Sequence, residues 1–158
     1  MKTEKATFAM GCFWHPQRVF DKIKGVINTE AGFMGGDESF TNLSYNQVCT
    51  GTTRHAEVVQ MTFNPEIISY EKLLEIFWKE HDPTTIDRQG PDIGDQYRSI
   101  IFYHNEKQKE LASKSKNEKQ KGFKNKIVTE IKKAGKFYKA EEYHQHYFKK
   151  KSRFDNIF

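Results

Sequence analysis

Cysteine is scarce in this chain, occurring only as Cys12 and Cys49. Two thiols cannot build the disulfide framework of a small secreted domain, and there is no C-x-x-C pair of the kind that holds structural zinc. Long apolar runs are missing too. No stretch approaches the ~18 residues of a membrane-spanning helix, so no membrane association is expected. Nothing ahead of Cys12 forms the apolar core of a signal peptide, which makes the cytoplasm the expected compartment. Internal repeats, Gly/Ser linkers and low-complexity tracts are also absent. At 158 residues the chain is expected to be a single domain over 1–158, long enough to bury a real core.

Charge of one sign is only mildly in excess. Lys and Arg number 26 against 21 for Asp and Glu, a net charge of +5. The surplus sits in "HNEKQKELASKSKNEKQKGFKNK", which mixes both signs like a solvated helix face, and in the basic "YFKKKSRF". Neither interleaves aromatics with bases, so no nucleic-acid partner is expected. A metal is not expected either. Cys12 and His15 offer two ligands, and His144-Gln145-His146 is the only other local cluster, whereas structural zinc takes four.

Phe and Tyr are abundant, with 13 and 7 copies. Lys5 to Met10 reads as a strand running into Gly11, followed by a helix over "QRVFDKIKG" with Pro16 in its first turn. "VINTEAGF" and the alternating "AEVVQMTF" read as strands, and Ser69 is placed to cap a helix over "YEKLLEIFWKEH". "SIIFY" and "IVTEI" are two more predicted strands, separated by a charged surface helix. "AEEYHQHYFKK" reads as a terminal helix or loop. Two long polar stretches, "MGGDESFTNLSYNQVCTGTTRH" and "HDPTTIDRQGPDIGDQYRS", are the places where function concentrates. The fold class is therefore α+β.

Cys12 stands where a strand turns into a helix. There the partial positive charge of the helix N-terminus favours thiolate, and an ordinary thiol is only a few per cent ionised at neutral pH. On this stretch alone it is equally a small buried hydrophobe. Glu57 opens an apolar strand beside Val58 and Val59, a setting that raises a carboxyl pKa and suits a general acid. Tyr45, Asp92 and Tyr97 lie in the long polar stretches, where turn chemistry is the plainer reading.

Taken together, the motifs carry a resemblance. Gly11-Cys12-Phe13-Trp14, Tyr45-Asn-Gln-Val-Cys49-Thr-Gly-Thr, His55-Ala-Glu57, His81-Asp-Pro-Thr84, Arg88-Gln-Gly90 with Asp92, Gln96-Tyr-Arg-Ser99 and Glu141-Glu-Tyr-His-Gln145 occur in order. The chain resembles the peptide methionine sulfoxide reductase A family. That resemblance implies a two-layer, plait-like mixed sheet with helices packed on it and long active-site loops. It implies an oxidoreductase that repairs oxidised proteins and free methionine S-sulfoxide under oxidative stress. Cys12 would attack sulfur and become a sulfenic acid, Glu57 would be the acid, and Tyr45 and Tyr97 would hold the sulfoxide oxygen. Asp92 would be a supporting carboxylate, and Phe13 and Trp14 the wall for the S-methyl group. No bound cofactor is implied, only an external thiol reductant: thioredoxin, glutaredoxin or glutathione.

The chain departs from the family at identifiable points. The family's usual Gly-Cys-Phe-Trp-Gly-x-Glu here ends in His15-Pro16-Gln17, and Arg54 stands where glycine usually precedes His-Ala-Glu. Loss of the carboxylate at 17 is expected to favour the Cys12 thiolate. His15, if protonated, would add to this or narrow access, and Arg54 would partly offset a raised Glu57 pKa. The C-terminal "KKKSRFDNIF" carries none of the resolving cysteines found in many members, leaving Cys49 as the only candidate. A one-cysteine, monomeric enzyme recycled by an external thiol is the expected type. A sulfoxide-binding or redox-sensing module without efficient turnover is the alternative.

Overall fold

The computed structural model describes residues 2–38 and 53–148. Its centre is a six-stranded mixed sheet in the order β7-β6-β1-β3-β2-β8. The strands are β1 (Glu4–Met10), β2 (Val26–Met34), β3 (Ala56–Phe63), β6 (Ser99–Tyr103), β7 (Glu130–Lys133) and β8 (Tyr138–Lys139). Neighbours run antiparallel except β6 and β7, which are parallel. A separate two-residue hairpin pairs β4 (Arg88–Gln89) with β5 (Asp92–Ile93). The described helices are α1 (Trp14–Asp21), α2 (Tyr70–Lys79) and α3 (Glu106–Gln120). This is the expected α+β class with a mixed sheet.

The period-2 alternation of the central strands decides which residues meet the helices. Ala6, Phe8 and Met10 of β1 and Val59, Met61 and Phe63 of β3 face one way. They bury against Phe20 of α1, Leu73, Leu74, Phe77 and Trp78 of α2 and Ala112 of α3. Ala9, Ala56, Val58, Ile100 and Phe102 face the other way, under Ala134 and Phe137. Phe8 is the centre of the larger core, with ring centroids 5.7 Å from Phe20, 6.1 Å from Tyr70 and 5.2 Å from Phe77.

Local chemistry explains most boundaries. Ser69 Oγ accepts the Lys72 N–H at 3.1 Å, as an N-cap should, and Asn105 does the same for Gln108. Helix α1 ends at Asp21, short of Gly25, because Lys22 and Ile23 donate to carbonyls three residues back. The strand predicted over "IVTEI" begins later, at Glu130. Upstream, Ile127 N–H donates to the Gln120 side chain and Val128 N–H to Pro83 O, so this stretch bonds to loop and helix rather than to β6. The predicted terminal helix or loop holds a 3₁₀ turn at Glu142–His144. Strand β8 and the β4–β5 hairpin are additions that the sequence pattern did not show.

Antiparallel order gathers one end of the sheet. The end of β1, the starts of β3 and β6 and the end of β2 all lie there, which brings Cys12, Glu57, Tyr97 and Phe33 to a common edge. The core behind this edge should dominate stability. Phe8→Ala is expected to cost ~3–5 kcal/mol in urea unfolding, against ~1 kcal/mol for loss of the Ser69 cap in Ser69→Ala. Equal costs would show that the sheet–helix core is not what holds the fold.

Candidate active site

Gly11 lets β1 turn at its end. Its φ of +88° suits glycine, and a Cβ there would lie 2.7 Å from Gln89 Cβ, so the hairpin packs directly on this turn. Cys12 follows, half-buried, and Phe13 caps α1 with helical backbone angles and no side-chain cap bond. The amide N–H groups of the first turn therefore remain as donors.

One of them finds a carboxyl. Phe13 N–H donates to Glu57 Oε1 at 3.2 Å across 44 residues of sequence. Glu57 is completely buried. Phe33 stands opposite it in the β2–β3 register, and the Phe33 and Phe13 rings meet at 5.6 Å. Continuing the β1–β3 register by two residues brings Met10 alongside as well. Burial among these apolar groups pushes the Glu57 pKa from its ordinary 4.5 up to about 8; the Phe13 N–H opposes this and the Asp92 charge reinforces it. Glu57 is thus a neutral carboxylic acid at pH 7. Because Oε1 accepts from Phe13, the proton belongs on Oε2, which is buried and has no hydrogen-bond partner among the described residues.

The hairpin carries Asp92 across from Gln89. Gln89 is itself fixed by a two-point bond: Oε1 accepts Asp82 N–H and Nε2 donates to Asp82 O, both at 2.8 Å. Tyr97 is almost fully buried in the 3₁₀ turn Asp95–Tyr97, immediately before β6. Two histidines also scaffold this edge, His55 buried and His81 partly so. His81 bonds Phe77 O at 2.6 Å and Ser99 Oγ at 2.8 Å, and burial lowers its pKa to about 4. His55 bridges the Gly36 N–H and the Asp37 carbonyl, and burial lowers its pKa too. Both imidazoles are neutral struts.

Trp14 lies on the C-terminal segment. Its Nε1–H donates to His144 Nδ1 at 3.1 Å, and its ring stacks on Tyr147 with centroids 3.8 Å apart and planes 10° from parallel. His144 also packs on Phe13, at 5.5 Å.

This edge has the parts of a thiol-based reductase: a thiol at a helix start, a buried neutral acid held by the next residue's amide, and aromatic walls. The peptide methionine sulfoxide reductase family model matches residues 4–157. The chain belongs to that family. It is 57% identical over 157 residues to the peptide methionine sulfoxide reductase MsrA of Methanosarcina mazei, an alignment covering 98% of this chain and 74% of the relative. The reduced form of Mxr1 from Saccharomyces cerevisiae superposes with a TM-score of 0.91 at 39% identity, covering 96% of this chain and 87% of that one. Mxr1 in complex with Trx2 matches with a TM-score of 0.66 at 27% identity, covering 92% of this chain and 85% of Mxr1.

Of the site residues predicted from the family resemblance, Cys12, Phe13, Trp14, Glu57, Asp92 and Tyr97 gather at this edge. Tyr45 and Cys49 lie outside the described residues. The departures from the family pattern have long-range partners. His15 pairs with Glu80 at 3.3 Å. Arg54 has a φ of +57°, the conformation that glycine adopts most easily, and its carbonyl accepts from Arg98. It is not among the groups acting on Glu57. Gln17 is wholly buried and bonds the C-terminal segment. Among the described residues no three His, Cys, Asp or Glu side chains converge as a metal site, and no helix is long and apolar enough to cross a membrane.

Sequence reasoning missed Gln89, Gln145 and the His144–Trp14 bond. The quoted Arg88-Gln-Gly90 and His-Gln motifs contained the signal, but nothing local shows which backbone an amide side chain will meet.

The raised Glu57 pKa has a consequence for stability. Between about 4.5 and 8 the folded protein holds a proton that the unfolded chain has released. The native advantage is whole below 4.5 and falls as pH rises through 8, by up to roughly 5 kcal/mol. Glu57→Gln removes this dependence, so its melting temperature should gain on that of the wild type as pH rises from 5 to 9. Parallel profiles would show that Glu57 is ionised in the folded state.

Proposed function

We propose that the chain is a thiol-dependent peptide-methionine (S)-S-oxide reductase, acting on free and protein-bound methionine sulfoxide from a single catalytic domain over 1–158. The observation that carries this is the buried, neutral Glu57 held by the amide of the residue after Cys12. A sulfoxide oxygen is a poor leaving group until it is protonated, and Glu57 Oε2 supplies a proton at the helix start where the thiolate is favoured.

In this mechanism Cys12 sulfur attacks the sulfoxide sulfur while Glu57 protonates the oxygen. The attack forms an S–S bond, and the protonated oxygen leaves the substrate sulfur as water. A water then adds to Cys12 sulfur, breaking the S–S bond, expelling methionine and returning a proton. The oxygen of that water ends on Cys12 as a sulfenic acid, so methionine sulfur is reduced by two electrons and Cys12 is oxidised by two. Tyr45 and Tyr97 hold the oxygen, Asp92 is a supporting carboxylate, and Phe13 and Trp14 receive the S-methyl group; these roles come from the family resemblance. One external thiol then forms a mixed disulfide with Cys12 and releases water. A second thiol displaces Cys12 as thiol. The Mxr1–Trx2 complex of a relative supports thioredoxin as that reductant, with glutaredoxin or glutathione as further candidates. The cytoplasm, where such thiols are kept reduced, is the proposed compartment, and the monomer the proposed state.

Wild-type protein mixed with excess sulfoxide and no reductant should form one methionine per Cys12 if Cys49 is not a resolving thiol, with sulfenic acid on Cys12 by mass spectrometry. Cys12→Ser should form none. Binding without methionine would establish a recognition module instead. The rate should fall as pH rises through about 8, where Glu57 ionises. Glu57→Gln should lose ~10²–10⁴-fold below that pH and lack the falling limb.

A further inference from the structure

The Gln145 side chain behaves as if it were another strand residue. Its Oε1 accepts the Ala31 N–H at 2.8 Å and its Nε2 donates to Ala31 O at 2.7 Å, so one primary amide pairs with both backbone groups of a β2 residue. Nε2 also donates to Ala140 O at 3.0 Å, tying the segment to itself where β8 ends. Gln17 completes the arrangement from α1. Its Nε2 donates to Gln145 Oε1 and to Thr29 O, both at 3.3 Å, and its Oε1 accepts the His146 N–H at 2.7 Å. Both glutamines are almost entirely buried. Beside this clasp, His144 bonds Trp14, Tyr147 stacks on it and Phe148 meets it edge-on at 6.4 Å.

We propose that Gln145 and Gln17 form a positioning pair for the substrate's S-methyl site: they hold the 140–148 segment against α1 and thereby fix the plane of Trp14. This rests on the reading of Trp14 as a wall of that site. Neither glutamine touches the reacting atoms; both act through the indole. Two rigid contacts on Trp14, one to its Nε1 and one to its face, come from a segment that the clasp anchors at both ends, by Ala140 and by His146. Neutral amides suit the task. They supply donors and acceptors in a buried place without adding a charge near Glu57. Freed of the clasp, Tyr147 and His144 no longer hold the indole, and the wall loses its fit to a methyl group while Cys12 and Glu57 keep their own supports.

The test compares wild type with Gln145→Met, Gln17→Met and their combination, which keep side-chain volume but remove the amides, and with Tyr147→Leu, which leaves the clasp intact. Turnover of N-acetylmethionine sulfoxide and its S-ethyl homologue is measured with dithiothreitol as reductant. Each single glutamine variant should raise KM for the S-methyl substrate roughly fivefold to tenfold, with kcat held within about twofold. The preference for methyl over ethyl should shrink. The double variant should resemble the worse single one, because the two amides act as one unit. Tyr147→Leu should reproduce the KM and preference changes; should Gln145→Met or Gln17→Met fail to fold, Gln145→Asn and Gln17→Asn, which withdraw the amide by one methylene, are read in their place. An active wild type whose variants melt earlier but keep KM and methyl preference would overturn the proposal, as would losses confined to kcat. A wild type that forms no methionine from either sulfoxide would overturn the reductase reading, and this proposal with it.

Discussion

The hydrogen bond from Phe13 N–H to Glu57 Oε1 is the contact on which the site depends. It joins the first amide after Cys12 to a carboxyl that the sheet has sealed from water. Its electrostatics are balanced. A helix N-terminus attracts negative charge and works to ionise both Cys12 and Glu57, while burial works against charge. For Glu57 burial wins, helped by Asp92, and the acid keeps its proton at neutral pH. Half-buried Cys12 stays within reach of solvent. The proposed nucleophile, which must lose a proton, and the proposed acid, which must keep one, thus sit beside the same helix start and differ in exposure.

The parts that hold this edge are chosen to add no charge. Gln89 grips the Asp82 backbone, Gln145 grips the Ala31 backbone, and Gln17 links α1 to the C-terminal segment. Buried His55 and partly buried His81 have lowered pKa values and serve as neutral bridges. A buried ionised strut would shift the Glu57 balance one way or the other, whereas amides and neutral imidazoles give geometry alone.

Much of the fold was legible because it rests on short-range pattern. The alternation in "AEVVQMTF" put Val59, Met61 and Phe63 on one face, and Ser69 marked the start of α2 where its cap bond forms. The burial of Glu57 was legible from the apolar strand it opens, but the groups that surround it, Phe13 and Phe33, come from other elements. The family resemblance assembled the rest of the site. What escaped were features made by long-range partners. Strand β8 is two residues long and exists because Gly32 and Phe33 lie opposite it. His15 also meets Glu80, 65 residues on, a partner that nothing local announces. Gln17 looked like a lost carboxylate, and its meaning lies with Gln145 and His146 at the other end of the chain. The left-handed backbone at Arg54 gives no sign in the residue itself, since arginine carries no preference for it.

The central claim is that a proton resides on Glu57 at neutral pH. Carbon-13 NMR of glutamate-labelled protein, with the Glu57 carboxyl assigned by its loss in Glu57→Gln, reads that proton directly. A titration midpoint near 8 is expected. A midpoint near the ordinary 4.5 would contradict it, leaving an ionised carboxylate beside Cys12 and no acid at the sulfoxide oxygen.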